Sequence, residues 1–345
     1  LGGRIWNKDA PQLNFEPSQR DHLNHPTWDS IFEHIGKSLT PFVRRESWCM
    51  ENNIMTGADY LRCWVASLLQ HPSSPLPYLF IYGLTQGTGK STFWESIDLL
   101  FSPGVTRAEH ALKNQSGFNG ELEGSLLCIV EEEKINEKSL DKIKSWVTSK
   151  ELSIRRMYQE VYTVPNFTHW IQCANPAEAC PIFDGDTRIT MINVRETPPT
   201  DIPRNKLQTL LKKEAPDVLA MLLRLEIPEH DSRLRIPIIT TDDKYMQQES
   251  KGSEMDLFLR DNFRYEAGDS FAWDKFVNLF NASRLEAAWD ERKVLAALNL
   301  EKHPVGIYRG TNTKHIGNLT VKGSDYKSND YRYISVNKFL EKEMI

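Results

Sequence analysis

The chain has 345 residues, 40% of them hydrophobic and 26% charged, and a formal net charge of −5. That balance describes a folded, water-facing protein long enough for two or three domains. It excludes a surface coated in positive charge, and no apolar run approaches the ~20 residues of a membrane helix, so no membrane partner is expected.

Residues 1–26 are polar, carry Pro11, Pro17 and Pro26, and read as an extended lead-in. The start, Leu1-Gly2-Gly3-Arg4, reads as either an excised fragment, with domains missing upstream, or a tag remnant. From 27 to 75 the period is helical: Trp28, Ile31, Phe32 and Ile35 share a face, as do Tyr60, Leu61, Trp64, Val65 and Leu68. The stretch from His71 to Pro77 breaks that pattern. Residues 76–226 then alternate strand and helix signals in the manner of an α/β nucleotide-binding layer. Strands are expected at 78–82, 125–130, 168–173 and 189–194, and a helix at 204–226. The polar, Pro-containing residues 227–252 read as a linker. Residues 253–345 read as a separate unit of three helices and a strand-turn-strand, Val305–Tyr308 to His315–Val321, which looks like a winged helix. The five cysteines form no CxxC pair, which fits reduced thiols in the cytosol.

The most informative stretch is Gly87-Thr88-Gly89-Lys90-Ser91-Thr92. An apolar strand precedes it and a helical segment follows, the context a phosphate-binding P-loop requires. Glycines let backbone N–H groups crowd around phosphate oxygens, and the helix N-terminus adds a favourable dipole. Lys90 would meet the β/γ-phosphates of ATP, and the Ser91 hydroxyl would complete a Mg²⁺ shell. One position departs from the strict pattern: Leu84 stands where the first glycine belongs, and Gly83 comes one residue early.

Ser125–Val130 is an apolar run ending in Glu131-Glu132-Glu133. A carboxylate at that strand end can hold Mg²⁺, and the next can orient the attacking water. Glu131 is assigned to the metal and Glu132 to the water, in a register open by one residue. Alone, such glutamates describe a solvated strand end; about forty residues after a P-loop they describe a catalytic edge. The run Phe167–Ala174 ends in Asn175-Pro176. Its amide can sense the γ-phosphate, or the pair is simply a turn. Arg188, before the last strand, is either an arginine finger for a neighbouring subunit or a partner of Asp184 or Asp186.

Between the acidic strand and the Asn175 strand lie a helix pattern, 139–148, and a hairpin candidate, Leu152–Tyr158 with Val161–Val164. Lys150, Arg155, Arg156 and Tyr158 could hold phosphates and stack on bases, or the ribbon is merely solvated. Trp146 is expected in the core.

In this order the motifs resemble the superfamily 3 helicase domain, and most closely the kind fused behind primase or primase-polymerase modules in phages, plasmids and large DNA viruses. The likeness covers about 75–200 well and 27–75 loosely. Its motifs are Gly87–Thr92, the strand ending in Glu131-Glu132, Lys144–Ser149 with Ser153–Arg156, Thr168–Asn175 and Asp186-Thr187-Arg188. The resemblance implies an AAA+-type P-loop ATPase; with the patterns read above, the expected fold is an α/β core with a parallel sheet, a helical N-terminal region and a winged-helix-like C-terminal domain. It also implies a homo-hexameric ring that spends Mg·ATP to move 3′→5′ on single-stranded or forked DNA, in the host cytoplasm. Lys90, Ser91, Glu131, Glu132 and Asn175 would come from one subunit and Arg188 from the next. Three rival readings are a replication initiator or loader that hydrolyses ATP without unwinding, a small-molecule kinase or other P-loop enzyme, and an inactive structural ring.

Overall fold

The computed structural model describes residues 10–113, 117–131, 135, 137–182, 185–198, 202–250, 255, 258–259, 270–284, 288–297, 305–309, 314–316, 319–321 and 330–335. The chain divides into two compact units, Leu1–Gln248 and Glu249–Ile345.

In the first unit a short strand β1 (Gln12–Leu13) precedes helices α1 (Pro26–Gly36), α2 (Thr40–Val43), α3 (Ser47–Glu51) and α4 (Gly57–Gln70). Pro26 opens α1, where its fixed φ suits the first helical turn. A reciprocal cap between Thr56 and Asp59 opens α4. Next come β2 (Tyr78–Tyr82), α5 (Lys90–Asp98), β3 (Phe101–Ser102), β4 (Val105–Arg107), α6 (Glu109–Lys113) and β5 (Leu127–Glu131). Then follow α7 (Glu137–Thr148), the antiparallel hairpin β6 (Glu151–Ile154) and β7 (Tyr162–Pro165), β8 (His169–Ala174), β9 (Ile189–Asn193), α8 (Arg204–Arg224) and α9 (Asp242–Ser250).

Strands β4, β5, β8, β2 and β9 form one parallel sheet in that order. The strand leading into the glycine loop, β2, does not touch the acidic strand β5, because β8 lies between them. All carboxyl ends point to one edge, where open α/β sheets bind ligands. The edge strand β4 had no counterpart in the sequence reading, since three residues are too short to show a period.

Strand alternation divides the core in two. Leu79, Ile81, Leu127, Ile129, Ile171 and Cys173 pack with α1, α4, α5 and α8 on one face. Tyr78, Phe80, Tyr82, Cys128, Val130 and Trp170 pack with α6 and α7 on the other. Trp146 stacks on Trp170 there, with ring centres 5.7 Å apart.

Residues 227–246, which compose like a linker, pack onto this unit. Ile236 and Ile239 enter one core layer and Leu234 the other. The Ile239 N–H donates to Thr190 Oγ1 at 3.0 Å, and the Tyr60 hydroxyl donates to the Pro237 carbonyl at 2.8 Å. The strap thus runs along the edge strand β9, whose bare ladder groups would otherwise invite pairing.

In the second unit β10 (Ser270–Ala272), β14 (Asp330–Ser335) and β11 (Val305–Arg309) form an antiparallel sheet with β14 in the middle. This corrects the expected strand-turn-strand. Residues 305–309 pair with 330–334, while β12 (Lys314–Ile316) pairs with β13 (Leu319–Val321). The sequence of that run contains Gly317-Asn318, a dipeptide typical of turns. Helices at Trp273–Ser283 and Glu291–Ala297 complete the described part, with Phe276 and Phe280 buried. No described helix is long and apolar enough to cross a membrane.

Candidate functional site

The loop from Gly83 to Gly89 joins β2 to α5. Gly87 and Gly89 have φ of +73° and +79°, a region that side chains avoid. Lys90 opens α5 and is buried. Its ammonium donates to the carbonyls of Gly83 and Thr85 and to Thr88 Oγ1, each at 3.1 Å. The positive charge therefore lies inside the curl of the loop, beside a helix N-terminus that also favours anions. Ser91 and Thr92 follow in the first turn.

The out-of-register glycine has a packing cause. A Cβ on Gly83 would stand 2.2 Å from the Val194 carbonyl oxygen. Gly83 is therefore set by the close approach of the chain leaving β9. Leu84 points away, 87% exposed.

Two neighbours of the loop carry no sequence signal because they are distant along the chain. His34 of α1 places Nε2 2.8 Å from the Thr88 carbonyl oxygen. Lys37 pairs with Glu196 at 2.7 Å and draws the segment after β9 against α1.

Glu131 ends β5 on the face that carries α5. One carboxylate oxygen accepts the Trp94 indole N–H at 3.1 Å, and the other pairs with Arg107 at 2.9 Å. The Arg107 guanidinium also lies 5.7 Å from the Trp94 ring centre. Trp94 stands three residues after Ser91, on the same side of α5. Sequence reasoning missed both Trp94 and Arg107. Glu132 and Glu133 lie outside the described residues. On β8, burial pushes the Cys173 thiol up; Glu131 adds to the shift and Lys90 opposes it. Both charges are thus felt at one point between the two strand ends.

Mg²⁺ takes oxygen ligands, commonly one or two from side chains and the rest from phosphates and water. The Ser91 hydroxyl and the Glu131 carboxylate supply donors of that kind on the α5 side. Among the described residues no cluster of three metal-ligating side chains offers an all-protein cage. The donor set fits Mg²⁺ bound together with phosphate.

Asn175 directly follows β8, half-buried at the same carboxyl edge. Arg188 does not join this group. It precedes β9, and its carbonyl accepts the N–H of Tyr78 at the start of β2 at 2.8 Å. Arg188 is thus at the amino edge, five strand residues or about 16 Å from the loop, beyond its own reach. Asp186 does not pair with the Arg188 side chain; its Oδ1 accepts the backbone N–H groups of Arg188 and Ile189 at 3.0 and 2.9 Å.

The hairpin docks on residues 117–123, near the amino ends of β5 and β8. The Arg155 guanidinium lies 5.4 Å from the Phe118 ring centre, and the Arg155 backbone N–H donates to Asn119 Oδ1 at 2.8 Å. Arg156 and Tyr162 both bond to Glu123. Lys150 is exposed, and Tyr158 at the tip is 99% exposed with φ +60°. The two arginines are therefore partly engaged within the protein, while the tip faces solvent.

These features define an α/β protein with a five-stranded parallel, P-loop-like core. A family described as a family of unknown function (DUF5906) matches residues 81–188, the span from β2 to the arginine turn. No curated protein matches. The chain is similar to the A-form apo structure of the NrS-1 C-terminal region, at 14% identity and TM-score 0.61, over 93% of this chain and 79% of that one. A further apo structure of that region matches at 14% identity and TM-score 0.60, again over 93% and 79%. At this identity the likeness shows a shared fold. A JCV helicase structure aligns over 56% of this chain and 64% of that one at 14% identity and TM-score 0.30, a level that does not establish one.

Proposed function

We propose that this chain is an ATP-hydrolysing helicase module of a replication protein, acting as a homo-hexameric ring on single-stranded and forked DNA. The observation that carries the reading is the buried Lys90 ammonium inside a glycine loop at the carboxyl edge that Glu131 and Asn175 share. Lys90 and the loop N–H groups hold the β/γ-phosphates of ATP, and Ser91 and Glu131 hold Mg²⁺. The ion, when bound, neutralises charge on the transferring phosphate. Glu132, next in sequence, orients the attacking water, and Asn175 bonds the γ-phosphate or that water. Arg188 stands too far from its own loop to act there, so it serves a neighbouring copy's site.

The β6–β7 hairpin lies in the chain between β5 and β8, whose ends carry the acidic group and Asn175. Hydrolysis moves that hairpin, and Lys150, Arg155, Arg156 and Tyr158 contact DNA. The described helices and antiparallel strands of 249–345 suit a winged-helix-like module, and the expected companion is a primase or polymerase, fused or associated.

The test is ATP hydrolysis with and without single-stranded DNA, for wild type and Lys90→Ala, with strand displacement on a fork. DNA should stimulate hydrolysis, and Lys90→Ala should abolish it. Stimulated hydrolysis without displacement would instead make the protein a loader or initiator.

A further inference from the structure

Lys244 lies in the strap that composes like a linker, yet it is 1% exposed. Its ammonium donates to the carbonyls of Ile189 and Asp186 at 2.7 and 2.9 Å and reaches Asp186 Oδ1 at 3.5 Å. That same Oδ1 caps the backbone N–H groups of Arg188 and Ile189. The Arg188 turn is therefore held from both sides: β2 takes its carbonyl, and Lys244 holds its cap. The Arg188 Nε is itself buried with no partner among the described residues. A buried lysine costs desolvation, and burial does lower its pKa while Asp186 opposes the shift. Such a group persists where its partners are well placed. The preceding residue, Asp243, bonds Tyr82 and Asn193 at the other ends of β2 and β9. One helical turn thus touches the root of the phosphate loop and the arginine turn.

We propose that Lys244 is a positioning residue for Arg188, holding the Asp186-capped turn that presents the guanidinium to a neighbouring copy's ATP. The proposal rests on the reading that Arg188 acts between copies. Loss of Lys244 should then harm the neighbour's site and leave its own phosphate loop intact.

Subunit mixing tests this. Lys90→Ala spoils a copy's own site but leaves its arginine turn sound; Arg188→Ala does the reverse. Each is assayed for ATP hydrolysis alone and mixed with the other. Lys244→Met, and the double variant Asp186→Asn/Lys244→Met that leaves no lone buried charge, are mixed with Lys90→Ala in the same way. The double variant carries the comparison where the single one does not fold.

Alone, the Lys244 variants should lose about 100-fold in kcat, the effect of a displacement of about 1 Å, with KM for ATP held within about twofold. Mixing with Lys90→Ala should restore measurable turnover, as it should for Arg188→Ala. Recovery by Arg188→Ala without recovery by the Lys244 variants would place Lys244 in its own subunit's stability and overturn the proposal. Wild-type kcat in the Lys244 variants would overturn it too. Failure of Arg188→Ala to recover overturns the neighbouring-copy reading, and this proposal with it.

Discussion

The Trp94 indole N–H donates to the Glu131 carboxylate at 3.1 Å, joining the helix after the phosphate loop to the end of the acidic strand. Trp94→Phe keeps a ring beside Arg107 and removes only that donor. Unfolding in urea should show a loss of about 1.5 kcal/mol, the low end for a hydrogen bond to a charged group. The Mg²⁺ concentration for half-maximal hydrolysis should rise about tenfold, as when an outer partner of a metal ligand is removed. Lost stability with an unchanged Mg²⁺ dependence would leave Glu131 a purely structural carboxylate.

Gly83 and Leu84 should respond in opposite ways. An alanine Cβ at 83 would collide with the Val194 carbonyl, so Gly83→Ala should destabilise by about 2 kcal/mol. Leu84 is exposed, so Leu84→Gly should change stability by about 0.5 kcal/mol or less. It should also leave the ATPase rate near wild type. Denaturation midpoints and rates for the two variants check this; a large effect of Leu84→Gly would return the loop entrance to the catalytic account.

His169 opens β8 fully buried, with Nε2 3.0 Å from the Pro72 carbonyl oxygen. Burial holds its pKa down to about 4, against 6.5 for the free group. Between those values the unfolded chain binds the extra proton, so stability is full above pH 6.5 and falls as pH drops toward 4. The loss from this group is on the order of 3 kcal/mol. His169→Gln keeps a donor for Pro72 and cannot titrate. Urea midpoints from pH 7 to 4 should fall more steeply for wild type than for the variant; parallel curves would refute the assignment.

Tyr158 stands at the hairpin tip, 99% exposed and in the left-handed region. Tyr158→Gly removes the ring and suits that backbone better. Binding of single-stranded DNA should weaken by about 1–3 kcal/mol, the usual contribution of a stacking aromatic. The thermal midpoint should stay or rise. Unchanged DNA affinity, measured by fluorescence anisotropy, would remove Tyr158 from the contact surface.

The features legible along the chain are those that local chemistry dictates. Apolar runs marked β2, β5, β8 and β9 to within two residues, because strands buried on both faces need continuous hydrophobic sequence. Gly87 and Gly89 announced the loop, because a left-handed backbone needs glycine. The short strand β4 and the pairing of β11 with β14 escaped notice, the first for want of length and the second for want of a local turn.

Tertiary structure alone decided which groups meet. The parallel direction of β2, β5 and β9 brings Lys90 and Glu131 to one edge and leaves Arg188, which precedes β9, at the other. Trp94 and Arg107 meet Glu131 across 37 and 24 residues of chain, and Lys244 meets Asp186 across 58. Nothing in the composition of 227–252 distinguishes a free linker from a strap along β9; only the burial of Ile236, Ile239 and Lys244 does. Backbone conformation is written in neighbouring residues, whereas a buried charge finds its partner only once the sheet has folded.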